Sequence, residues 1–200
     1  MSSGKKVVGI VGSYRKGGTI DTVVSEVLAE AENQGAEISK IYLQDRQIEF
    51  CTNCRVCLQE PGPERGDCVL QDEMDGILQE IEAADSLVIG APVNFGNVNA
   101  LTQRFLERCV CYGYWPWNTP GPQMRKSEAT KKAVLISSSA VPGFIARWLS
   151  GAIKSLKSLA KVLGAKPIGV IFVGKVISKQ VGLSDKIKRQ ARNLGHELVG

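Results

Sequence analysis

The sequence predicts an α/β protein: a three-layer fold with a five-stranded parallel sheet and helices on both faces. Three observations carry this. Short apolar runs alternate five times with helix-length amphipathic stretches, the pattern of a parallel sheet covered on both sides. The first run, Val7-Val8-Gly9-Ile10-Val11-Gly12, is apolar throughout, as a strand buried on both faces must be. The 200 residues, 44% hydrophobic and 22% charged, suit one globular domain over 1–200 that can bury its own core.

Each element has its own signal. From Thr19 to Asn33 the residues Val23, Val24, Val27, Leu28 and Ala31 recur at helical spacing, and Gly35 closes that helix. Ala36–Leu43 alternates as a second strand. Glu73–Ala84 gathers Met74, Ile77, Leu78 and Ile81 on one helical face. Ser86–Ala91 is a third strand, Val98–Cys109 a third helix and Lys132–Ser138 a fourth strand. Residues 145–163 form a long amphipathic helix facing the core through Ile145, Leu149, Ile153, Leu156, Leu159, Val162 and Leu163. Pro167–Gly174 is the fifth strand, and Ser184 caps a last helix that runs to about Leu198. Two stretches are longer than ordinary loops: a cysteine-rich one at about 44–71 and an aromatic one at about 110–131.

Composition narrows the function. The net charge of +5 suits acidic ligands such as phosphates, but it is spread along the chain, so nucleic acid is not expected as a partner. No apolar run reaches the roughly 18 residues that span a bilayer. The apolar run after Lys5-Lys6 stops at Ser13-Tyr14-Arg15, too soon for a secretory signal. A cytoplasmic location and no membrane partner are expected. Six cysteines in a reducing compartment do not make a disulfide framework.

The loop after the first strand reads Gly12-Ser13-Tyr14-Arg15-Lys16-Gly17-Gly18-Thr19-Ile20-Asp21. Its glycines let backbone approach a ligand, and the helix N-terminus behind it turns unpaired N–H groups toward an anion. Ser13 and Thr19 add hydroxyls and Arg15 a fork-shaped cation. The stretch is neither the triphosphatase loop nor the dinucleotide fingerprint, and a charged surface turn is the plain alternative. In a 2-1-3-4-5 sheet the crevice opens between strands one and three, so the loop after strand three supplies the next wall. There Pro92 stiffens the exit, Asn94 can hydrogen-bond a heterocycle and Phe95 offers an aromatic face. Ser137, Ser138, Ser139 and Ala140 stand where the third wall would be.

Cys51, Cys54, Cys57 and Cys68 are spaced C-x2-C-x2-C-x10-C. Three thiolates at three-residue intervals wrap one face of a cubane, with a distant fourth completing the set. Zinc sites more often use two separated C-x2-C knuckles. A [4Fe–4S] cluster, zinc, and reduced thiols without metal all stay open. The loop after strand two emerges at the same sheet edge as the crevice.

Taken together, Gly-Ser-x-Arg-x-x-Gly in the first loop, Cys51-Thr-Asn-Cys54-Arg-Val-Cys57 in the second and Gly90-Ala-Pro92-Val-Asn-Phe95-Gly96 in the third resemble the NADPH-dependent FMN reductase family, and within it the iron–sulfur flavoproteins. The likeness covers about residues 5–110 by motif and the remainder by pattern. It implies a flavodoxin-like fold holding FMN. Ser13, Arg15, Gly18, Thr19 and Ile20 would take the phosphate, and Pro92, Val93, Asn94, Phe95 and Gly96 the isoalloxazine ring, with Ser138 and Ser139 beside them. It implies an oxidoreductase that takes electrons from NAD(P)H or a redox protein and assembles as a homodimer or homotetramer. The sequence departs from the family pattern at Tyr14, at Thr19-Ile20 and at Asn94-Phe95; at Ile20 a hydroxyl is lost while the backbone N–H is kept. The rival readings are a non-enzymatic electron carrier and a zinc-stabilised binding module without flavin.

Cys111-Tyr-Gly-Tyr-Trp115-Pro-Trp117 suits a lid, a nicotinamide stack or a subunit contact. Cys109 and Cys111 read as buried small hydrophobes. No carboxylate pair or nucleophile–base constellation stands out, and His196 is not assigned to catalysis.

Overall fold

The computed structural model describes residues 4–126, 128–142, 150–178 and 182–200. Five parallel strands form the main sheet: β1 (Lys6–Val11), β2 (Glu37–Tyr42), β3 (Ser86–Asn94), β7 (Lys131–Ser138) and β8 (Ala165–Val173), ordered β2-β1-β3-β7-β8. This is the predicted 2-1-3-4-5 order of a flavodoxin-like fold. The pleat sends Val7 and Val11 of β1 to one face, Val8 and Ile10 to the other. Helices α1 (Thr19–Asn33) and α5 (Asp185–Val199) cover the first face. Helices α2 (Met74–Glu82), α3 (Ala100–Arg108) and α4 (Ala152–Val162) cover the second. Gly90 lets α1 lie close on the sheet: a Cβ there would stand 2.7 Å from Ile20 Cγ2.

Most expected boundaries agree within two residues. For the helix expected over 145–163, α4 accounts for 152–162, and 145–149 lie outside the described residues. The largest correction concerns β3. The sequence suggests an end at Ala91, but the strand continues to Asn94 and turns back through β4 (Asn97–Val98). Phe95 (φ 46°) and Gly96 (φ 78°) form the two-residue turn, the twist that a tight hairpin demands. Pro92–Asn94 are therefore strand rather than loop. Pro92 does not break the strand, because a proline is tolerated where its ladder position needs no N–H.

The aromatic stretch is likewise more ordered than a loop. A short hairpin, β5 (Gly113–Tyr114) with β6 (Gln123–Met124), folds it onto the second face. Cys109 and Cys111 are buried there, as expected; burial pushes the Cys111 thiol up to about 12.

Candidate functional site

The carboxyl ends of β1, β3 and β7 open into one cleft of about 270 Å³, near the low end of small-molecule sites. Ser13, Arg15, Thr19, Ile20, Pro92, Val93, Asn94, Ser138 and Ser139 all line it. So do Tyr14, Ala140 and Val176, of which the sequence reading gave Tyr14 and Val176 no role. Four expected residues are not among its lining, of which Ser137 is buried in β7 and donates to Ala91 O at 2.9 Å. Gly18 is buried as the N-cap of α1, while Phe95 and Gly96 sit on the hairpin tip, where Phe95 is fully exposed.

The loop from β1 to α1 is built to face an anion. No side chain caps α1, so its first-turn N–H groups, which helix geometry leaves without intrahelical partners, are free to meet a ligand. The loop is pinned from behind. Asp21 accepts from the Gly17 N–H at 2.7 Å, Lys40 Nζ at 2.9 Å and the Tyr42 hydroxyl at 3.0 Å, and this holds Gly17 at φ +68°. The Ser13 hydroxyl accepts from the Arg15 N–H at 3.2 Å. Ile20 packs its side chain on Gly90 and can offer only its N–H. From below, Asn99 Nδ2 donates to Gly12 O at 2.8 Å while its Oδ1 caps α3. A bound dianion is what this concave set of donors fits.

The four cysteines meet in a second hollow, lined by Cys51, Cys54, Cys57 and Cys68 together with Arg55, Val69, Arg108 and Val110. Asn53 (φ 54°) and Arg55 (φ 61°) take left-handed backbone between the ligand-spaced cysteines. Such turns aim successive N–H groups into one concavity, as around many iron–sulfur sites. The Asn53 N–H donates to Cys51 Sγ at 3.4 Å. Cys54 is exposed and holds its pKa below the ordinary thiol value, through the Val56 N–H and then the Thr52 hydroxyl. Burial, followed by the neighbouring Cys68, Cys51 and Cys54, pushes the Cys57 thiol up to about 11. All six cysteines are free thiols. Among the described residues no three His, Cys, Asp or Glu side chains close around the position of a single metal ion.

The aromatic stretch packs on this hollow rather than over the cleft, and contributes no cleft-lining residue. The Arg55 guanidinium lies between the Trp115 ring (3.8 Å to its centroid) and the Trp117 ring (4.0 Å), and donates to Trp115 O at 2.7 Å. Arg125 staples the two loops, donating to Cys57 O, Glu60 O, Cys111 O and Gly113 O. Arg55 stood in the cysteine motif without an assigned role, and Arg108 had none. The signal for Arg108 was present: it continues the stripe of Leu101 and Phe105, both buried, where a charge needs a reason.

A wider groove of about 1500 Å³ lies between β8 and α5. It holds none of the predicted residues.

In a doubly wound sheet, ligands bind at the switch point, where this cleft opens. The chain belongs to the NADPH-dependent FMN reductase family, whose profile matches residues 5–180; it is a flavin-dependent oxidoreductase. It is similar to an iron–sulfur flavoprotein of Archaeoglobus fulgidus, 29% identical over 194 residues, which are 97% of this chain and 79% of that protein. An iron–sulfur flavoprotein of Methanocaldococcus jannaschii is 35% identical over 103 residues, 52% of this chain and 51% of that one, so the match spans about half of that relative's length. The structure of an FMN-dependent NADH-azoreductase from Bacillus anthracis in complex with FMN superposes with a TM-score of 0.68 at 14% identity, covering 98% of this chain and 100% of that one. At that identity the likeness concerns the fold. Among the described residues no helix is long and apolar enough to cross a membrane.

Proposed function

We propose that the chain binds FMN in the cleft, holds a [4Fe–4S] cluster on Cys51, Cys54, Cys57 and Cys68, and passes electrons from NAD(P)H or a redox protein to an acceptor. The observation that carries the flavin reading is the uncapped N-terminus of α1 meeting Ser13, Arg15 and Thr19 at the switch point of the sheet. Bound FMN supplies hydride chemistry and a cluster supplies one-electron chemistry. The chain's own residues bind and orient. The α1 amides with Arg15 hold the phosphate, Pro92–Asn94 form the wall for the ring, and Ser138 with Ser139 closes the far side.

The donor set of the second hollow fits a cluster. Four crowded sulfurs that repel one another as thiolates, the cause that helps to raise the Cys57 pKa, become mutually stabilised around a polycationic iron core. Tyr14 lines the cleft and is exposed, and the exposed Phe95, Val141 and Ile177 each follow a lining residue along the chain, which supports a homo-oligomer that covers this face. The domain reading is one unit over 1–200 with the two elaborated loops as its inserts, and the location is the cytoplasm.

The test is the visible spectrum of anaerobically purified protein with FMN, iron and sulfide counted, followed by stopped-flow mixing with NADPH and NADH. A flavin that bleaches with either nucleotide supports the reading. A flavin that bleaches with neither makes the chain an electron carrier, and a colourless zinc protein that takes up no FMN overturns the reading.

A further inference from the structure

We propose that Arg108 is a positioning residue of the cysteine site, donating to the Cys68 sulfur so as to raise the reduction potential of a cluster held there. The inference rests on reading the four cysteines as cluster ligands. Arg108 lines their hollow and its Nη2 lies 3.6 Å from Cys68 Sγ. Its side chain is 2% exposed and that of its ion-pair partner, Asp72, 5%. Two charged side chains this little exposed are costly to desolvate, and an apolar pair would fill the same space. A stability role alone therefore explains the pair poorly.

The orientation of the pair points to its use. Asp72, unlike Arg108, is not among the residues that line the hollow; it accepts from the Glu49 N–H at 2.8 Å and the Met74 N–H at 3.0 Å. Both terminal nitrogens of Arg108 engage that carboxylate. Beyond it, Nη1 donates to Glu49 O at 2.9 Å and Nη2 to the sulfur. The positive end of a buried dipole thus faces Cys68. The arrangement is rigid, because α3 carries Arg108 at one end and begins at Asn99, which is bonded to Gly12 O under the flavin cleft. Nine helical residues place these ends roughly 13 Å apart. A donor to a ligand sulfur and a nearby positive charge both favour the more negative, reduced cluster and raise its potential.

The experiment compares anaerobically reconstituted wild type, Asp72→Asn and the double variant Arg108→Gln/Asp72→Asn by potentiometric titration of the cluster's visible and EPR signals. The double variant removes the guanidinium without stranding a carboxylate. Its midpoint falls, with about a tenfold change in the reduced-to-oxidised ratio at fixed potential, or about 59 mV for a one-electron couple. Asp72→Asn leaves the guanidinium unbalanced, and its midpoint rises. Both lose the same buried ion pair, so a merely structural role moves the two midpoints together or not at all, and either result overturns the proposal. If the double variant fails to load, the sign of the Asp72→Asn shift decides. Wild-type protein that takes up no iron and sulfide overturns the cluster reading itself, a failure told apart by the metal count.

Discussion

Arg15 stands exposed at the lip of the cleft, in no salt bridge among the described residues. A guanidinium on a phosphate makes charge-assisted hydrogen bonds worth about 1.5–3 kcal/mol. Arg15→Ala should weaken FMN binding by that amount in a fluorescence titration; an unchanged affinity would place the phosphate elsewhere. Phe95 carries the opposite lesson. A bulky side chain at φ 46° pays roughly 1–2 kcal/mol for left-handed backbone, and Asn at the first position of an Asn-Gly turn pays least. Phe95→Asn should raise the stability by up to about 1 kcal/mol in a thermal melt. A weaker flavin affinity in the same variant would show that the strain is retained for binding. The sequence singled out Arg15 as a cleft residue because it lies in the same short loop as Ser13 and Thr19. The end of β3 was not legible, since how far a strand runs before turning depends on the neighbour it pairs with.

At the scale of elements, two fastenings position the sites. The first joins the anion loop, α1 and β2 through Asp21 and Lys40. Burial pushes the Asp21 carboxyl up, but the Gly17 N–H, Lys40 and Tyr42 outweigh it and hold the pKa below the ordinary 3.8. The Lys40 ammonium, lowered by burial but bonded to Tyr42 and Asp21, ends above its ordinary 10.5. A lowered carboxylate contributes fully above its unfolded pKa and loses that contribution as pH falls through the folded value; a raised lysine contributes fully below its unfolded pKa and loses it as pH rises through the folded one. The pair therefore stabilises the fold from about pH 4 to about pH 10. In melts across pH, Asp21→Asn should be less stable than wild type at neutral pH and show a smaller loss below about pH 4. Equal slopes in acid would remove Asp21 from this role.

The second fastening is Arg55 between Trp115 and Trp117. Two cation–π contacts and a carbonyl bond are lost in Arg55→Ala, about 1–3 kcal/mol together. The variant should show red-shifted tryptophan emission as the β5–β6 stretch leaves the cysteine loop. Unshifted emission would mean that the Arg125 staple alone holds it. The aromatic residues were visible as a cluster in the sequence, and a lid over the cleft was one fair reading. Their actual partner, Arg55, lies 60 residues before Trp115 and 62 before Trp117, a pairing that only the packing of the second sheet face creates.

For the whole molecule, cofactor binding and folding are one equilibrium. A ligand at 100 times its Kd adds about 2.7 kcal/mol to stability, which for a chain of 200 residues raises Tm by roughly 5–10 °C. On the proposed phosphate grip by the α1 amides and Arg15, FMN should give that shift and riboflavin a smaller one. Equal shifts would move the affinity to the ring pocket.

What the amino-acid order determined by itself is what lies within one stretch of chain. The apolar alternation sets the strands and helices, the β1–α1 loop gathers Ser13, Arg15 and Thr19 at one helix end, and the cysteine spacing groups four thiols; each depends on period or reach along the backbone. Only the tertiary structure decided that Arg108 faces Cys68, that Asp21 pins Gly17 against Lys40 and Tyr42, and that the indoles close on Arg55. Those contacts join segments up to 62 residues apart, and which of many side chains of one chemistry meets a given partner is settled by how close-packed faces interlock, which no local pattern records.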